Sequence, residues 1–170
     1  MHRPLQRIAQ TAIPVILLAF TGAHAQVNSA EDWKTFTIPE FGTRVQYPAR
    51  IFSVLEGRAE KGTGERLMTE DGRASLSIYS RMNESGDTPS SYLRRNLRFP
   101  QSALEYQRLT SSFFAISAVT QDTIYYSRCN FSKGAVDAIH CFDMVYPQRE
   151  KKAWDAIVTR ISRSLRPLQG

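Results

Sequence analysis

Two cysteines are the only thiols in the chain, and they bracket a short stretch, CNFSKGAVDAIHC, running from Cys129 to Cys141 with His140 beside the second. Three chemistries use these residue types: a thiolate nucleophile activated by imidazole, a zinc site, and a disulfide. Zinc requires three or four donors converging on one point. In a hairpin, successive side chains alternate between the two faces of the sheet, so His140 points away from Cys129 and Cys141. That geometry removes the metal site and the Cys–His nucleophile, and it makes His140 an ordinary strand residue. The disulfide remains, with two independent buried thiols as its alternative. If the hairpin turns at Ala135, with Gly134 supplying backbone freedom, facing residue numbers add to 270, and Cys129 and Cys141 satisfy that rule. Directly opposed residues have Cβ atoms about 4.5–5.5 Å apart, within small adjustments of disulfide geometry. The same register pairs Phe131 with Ile139 and Tyr125 with Val145.

The other reactive constellations are thinner. No G-x-S-x-G stretch presents a serine for a Ser-His-Asp triad. The glycine-containing EKGTGE segment lacks the G-K-[ST] of a phosphate loop. Carboxylate pairs run glycoside hydrolysis, and Glu65, Glu70, Asp71, Glu105 and Asp143 qualify by type, but each lies in a turn or beside Arg or Lys, where a solvated role is the plainer reading. No residue is assigned a catalytic or metal-binding role, and no cofactor is expected.

The elements that carry these residues read as strands with two helices. WKTFTI (33–38) and TRVQYP (43–48) alternate and end at prolines. RIFSVLE continues extended, and EGRAEKGTGE (56–65), with three glycines and five charges, reads as an exposed loop. ERLMTE and RASLSIYS flank Asp71-Gly72, the signature of a two-residue hairpin turn. Thr88 and Pro89 suit the N-cap and first position of a helix that Pro100 stops. Its apolar side carries Tyr92, Leu93, Leu97 and Phe99. ALEYQRLT, SFFAISAVT, DTIYYSRCNF and DAIHCFDMVY follow as four strands. A second helix runs from Gln148 to about Leu165. Trp154, Ile157, Val158, Ile161 and Leu165 form one stripe at 100° per residue, and Arg149, Lys152, Arg160, Arg163 and Arg166 form a possible basic patch opposite. Hairpins dominate, so the expected class is α+β: a central, mainly antiparallel sheet of about six to eight strands with helices packed on it.

The first 25 residues stand apart. Arg3 and Arg7 precede an apolar run from Ala12 to Phe20, and Ala23-His24-Ala25 fits a signal peptidase. That run is about nine residues, far below the roughly 20 of a spanning helix. The expected organisation is a signal peptide at 1–25 cleaved between Ala25 and Gln26, a flexible arm at 26–32, and one globular domain at 33–168, with no transmembrane segment after cleavage. Loss of Arg3 and Arg7 lowers the net charge from +6 to +4, an ordinary value that points to no nucleic acid partner. The location is periplasmic or secreted, an oxidising setting that favours the disulfide.

A resemblance accompanies these readings. The opening Trp33, Phe36, Ile38-Pro39-Glu40-Phe41-Gly42, Tyr47-Pro48 and Phe52 carry it, with DGRASLSIYS in the middle. CFDMVYP followed by Trp154, Ile157-Val158 and RISRSLRP (160–167) closes it. Together these resemble a group of small exported alphaproteobacterial proteins of unassigned function. The element order is similar to the PsbP/Mog-type α/β/α sandwich. Most of these residues bear the fold. They speak for fold and little for chemistry. Plant PsbP proteins are photosystem accessories, some linked to metal through His and acidic residues, but with His140 alone here that role does not transfer. The partner of Mog-type proteins, an intracellular GTPase, would not meet an exported chain. The resulting expectation is an exported, non-enzymatic binding or accessory module of the cell envelope, acting on an envelope protein or polysaccharide. Its alternatives are a carboxylate-based hydrolase, or an adhesin for anionic envelope polymers through the basic C-terminal helix.

Overall fold

The computed structural model describes residues 33–133 and 137–167. The leader, its cleavage point, the arm and the Gly134–Ala135 turn lie outside these residues. The main sheet has seven strands, each pairing antiparallel with its neighbours: β3 (Val54–Arg58), β4 (Thr63–Met68), β5 (Ser75–Met82), β9 (Ala138–Pro147), β8 (Thr123–Ser132), β7 (Phe113–Thr120) and β6 (Leu104–Leu109), in that spatial order. A smaller sheet joins β1 (Trp33–Ile38), β2 (Thr43–Pro48) and β10 (Arg166–Pro167). Helix α1 (Pro89–Asn96) lies against one face of the main sheet; α2 (Lys151–Ser164) and the small sheet cover the other. This is the expected α+β sandwich. No helix among the described residues is long and apolar enough to cross a membrane.

Strand alternation divides the interior in two. On β9 the even positions Phe142, Met144 and Tyr146 join Leu76, Ile78, Trp154, Val158 and Ile161 in the core under α2. The odd positions Ile139 and Cys141 join Tyr79, Phe114, Cys129 and Tyr92 in the core under α1. Thr88 caps α1 through the Ser91 amide, with Ser91 Oγ returning to the Thr88 amide. Helix α1 is shorter than the pattern suggested, because Leu97 is already extended. On α2, Trp154, Val158, Ile161 and the following Leu165 are buried, and Ile157 is partly so.

Two loops differ from expectation. Residues 56–65 do not form a long loop. Glu56 to Arg58 belong to β3, and Thr63 onward to β4. Every residue of β3 is exposed because it is the edge of the sheet, so nothing in its composition marks a buried face. The Asp71-Gly72 turn is wider than two residues. Thr69 and Ala74 close it, only Gly72 takes a left-handed φ of 68°, and the Gly72 amide donates to Thr69 O. Asp71 stays right-handed because its carboxylate accepts from Thr69 Oγ1, the Arg73 amide and Arg73 Nε.

His140 is buried on the α2 side of the sheet. Its Nδ1 meets Thr43 Oγ1 at 2.7 Å and its Nε2 meets Ser132 Oγ at 3.0 Å. Thr43 Oγ1 also meets Ser80 Oγ at 2.6 Å. His140 therefore ties the small sheet to the large one.

Candidate functional site

The register of β6, β7 and β8 builds a groove from small residues. Arg108, Ala115 and Arg128 face one another across the three strands, and Tyr106, Ser117 and Tyr126 form the next row on the same face. Neighbouring strands lie about 4.8 Å apart, so the short side chains of Ala115 and Ser117 leave a trough between larger flanks. Helix α2 supplies the facing wall with Asp155, Val158, Thr159, Ser162 and Arg163. The groove measures 880 Å³.

Its electrostatics are set by two guanidinium groups. Arg128 lies over the Phe113 ring at 4.3 Å from the centroid, and Arg108 over the same ring at 5.4 Å. Their guanidinium carbons are therefore less than about 10 Å apart, both against the same ring. Arg128 is half-buried. Its Nε donates to Asn130 Oδ1 at 3.0 Å and its Nη1 to Ser162 Oγ at 3.1 Å. Those bonds and the ring fix its plane, and no carboxylate among the described residues pairs with it. Burial lowers its pKa, and the charge of Arg108 adds to that. A cation held without a counter-ion in a partly dry groove recruits an anion. Tyr126, whose hydroxyl meets Ser162 Oγ at 3.0 Å, and Tyr146 bring aromatic surface beside it. Burial raises the pKa of both phenols, so they stay protonated.

The residues singled out from the sequence are scattered around this groove. Among the basic patch, Arg163 lines it. Arg160 stacks on Trp33 at 4.0 Å, Arg149 stands 3.8 Å from Glu150, Arg166 is in β10 opposite Arg44, and Lys152 is exposed. The five carboxylates are not gathered. Glu105 is at the groove, in company with Asp155. Both are exposed, without the apolar enclosure that keeps a general acid protonated. Asp71 is held down to about 2 by the Thr69 hydroxyl and Arg73, Glu70 is exposed in the same turn, and Glu65 faces Ile78 on the α2 side. Asp143 is on the opposite face of the sheet. Cys129 and Cys141 are directly paired, wholly buried and joined, with Cα atoms 4.1 Å apart. No cluster of three or more His, Cys, Asp or Glu suited to a metal occurs among the described residues.

No protein-family model and no curated protein matches the chain. Among solved structures it is similar to the solution structure of cyanobacterial PsbP (CyanoP) from Synechocystis sp. PCC 6803, with a TM-score of 0.59 at 10% identity, covering 87% of this chain and 99% of that one. The similarity is one of fold: the chain has a PsbP-like architecture.

Proposed function

We propose that this chain is an exported, non-enzymatic binding module of the cell envelope, and that the groove between α2 and strands β6–β8 holds a segment of an acidic polysaccharide. The observation that carries the reading is the Arg108–Ala115–Arg128 row. It presents two cations across a small residue, one of them half-buried and without an acidic partner among the described residues. Uronate carboxylates would pair with the guanidiniums, and the sugar rings would lie against Tyr106 and Tyr126. The leader pattern at 1–25, with cleavage after Ala25, supports export to the periplasm or beyond. The PsbP-like fold agrees with an accessory role. Arg163, from the basic face of α2, adds a third cation to the groove lining.

The test is binding of polygalacturonate, with neutral dextran as control, at low and high salt. Binding should weaken with salt, because part of it is screened charge. R108Q/R128Q should lose about tenfold or more, since a charge-assisted hydrogen bond contributes about 1.5–3 kcal/mol and 1.4 kcal/mol is tenfold in affinity. Binding that is equal for dextran and polygalacturonate, or unchanged in the double variant, rejects the groove.

A further inference from the structure

The opposite face of the sheet carries a second polar site. Asp143, in the middle of β9, is flanked directly by Ser77 on β5 and Ser127 on β8. It is 8% exposed, and the next part of the same sheet face is filled with aromatic and aliphatic side chains. Its Oδ2 accepts from Lys61 Nζ at 2.7 Å and from the Tyr79 hydroxyl at 3.3 Å. Its Oδ1 is buried and meets no donor from the described residues, and the buried Ser127 hydroxyl is likewise unpartnered. A buried carboxylate oxygen without a donor costs several kcal/mol if nothing else binds it, and protein interiors leave few such atoms. Asp143 lines a small cavity of 180 Å³ together with Ser77, Tyr79, Tyr125, Lys61, Arg66 and Glu60; Ser127 neighbours Asp143 on β8 but is not part of that lining.

Lys61 is brought there by the EKGTGE segment. Gly62 and Gly64 follow it, at the β3–β4 connection and in the first residues of β4. A Cβ on Gly62 would stand 2.5 Å from Ser80 O, and one on Gly64 would stand 1.9 Å from Ile78 O. The glycines therefore let this hairpin lie against β5 closely enough for Lys61 to reach across to Asp143 and to the Tyr125 hydroxyl, 3.2 Å away.

The chemistry of a ligand follows from charge and size. Lys61 already neutralises Asp143, and Arg66 and Glu60 add one charge of each sign to the lining, so the cavity is balanced and an amine or metal cation would have to compete with an ammonium in contact. What Oδ1 lacks is a neutral donor. Lys61, exposed at its stem, and the tyrosine hydroxyls offer donors to an oxygen that also accepts. A group that donates one O–H and accepts on a neighbouring oxygen is a vicinal diol. The cavity holds the volume of about six waters at ~30 Å³ each, which suits one sugar ring or a small polyol and excludes a chain. We infer that the cavity over Asp143 is a subsite for a neutral vicinal diol, a single sugar ring or polyol, whose hydroxyls donate to Asp143 Oδ1 and accept from Lys61.

This site is on the other face of the sheet from the arginine groove, so its test is independent of the polysaccharide reading. The protein, labelled for amide NMR, is titrated with glycerol and with the neutral methyl glycosides of glucose, mannose and galactose; calcium and ethylammonium serve as cation arms. Saturable shifts confined to amides near Ser77, Ser127 and Lys61 are expected with at least one glycoside or with glycerol, and the two arms tell a sugar ring from an open polyol. D143N should weaken that binding at least tenfold. S77L, which puts a larger side chain into the cavity wall, should abolish it even if D143N folds poorly. The inference is overturned if no neutral diol gives saturable shifts, if S77L binds as well as the parent, or if only the cations bind.

Discussion

Trp154→Ala tests whether α2 is held by the core or merely rests on it. Trp154 is 8% exposed and packs, tilted, against Phe52 at 5.9 Å and Tyr146 at 5.6 Å. A buried tryptophan removes roughly 150–250 Å² from water, which at ~25 cal/mol per Å² is about 4–6 kcal/mol. Alanine keeps part of that, but the two facing rings would border a cavity that the rigid sheet behind Tyr146 cannot close. The expected loss is about 3–5 kcal/mol, set against about 5–15 kcal/mol for a whole domain. The indole N–H adds little, because its Glu150 Oε2 partner is 3.3 Å away and in reach of water. Trp154→Phe should therefore recover more than half of the loss. The measurement is equilibrium unfolding in urea followed by far-UV circular dichroism, so that the signal does not depend on the tryptophan removed. A loss below about 1 kcal/mol, the level of an average point change, would refute the placement of α2 on this face.

Cys129→Ser with Cys141→Ser should lower stability by about 3 kcal/mol, the loop-closure value for a bridge spanning 12 positions, and in the never-reduced parent neither sulfur should react with an alkylating agent. His140 should give the protein an acid-sensitive stability. Burial lowers its pKa in the folded state, whereas the unfolded chain takes up a proton near pH 6.5. Its contribution is then complete above about pH 6.5 and is lost as pH falls from there toward the folded pKa, since the unfolded state binds more protons in that window. Urea unfolding from pH 7.5 to 5 should show this slope, and His140→Gln should flatten it.

The parts of this fold that were readable from sequence share one property: their signal is local. Thr88-Pro89 announces α1 because capping uses groups three residues apart, and the α2 stripe repeats within one helix. The 129–141 pairing was readable because β8 and β9 are consecutive, so a sum rule fixes the register. The edge strand β3 was missed because an edge has no buried face to alternate. Asp71-Gly72 misled because the Asp71 carboxylate, by binding Thr69 and Arg73, chose a right-handed backbone over the mirror-image turn. The groove was hidden for a different reason. Ala115 and Ser117 are unremarkable alone and become a trough only when Arg108 and Arg128 arrive from strands on either side. Asp143 looked like a solvated acid; its burial depends on Ser77, which is 66 positions away in sequence and adjacent in the sheet.

The pairing of β10 with β2 places Arg166 opposite Arg44, more than 120 positions apart. Thr43, at the end of that same ladder, is the residue that His140 grips. The third strand of the small sheet can therefore join β2 only once residues 166 and 167 are in place. Hairpins such as β6–β7–β8–β9 assemble from neighbours and form early, but the long loop that ends at β10 must be drawn shut last, against its entropy.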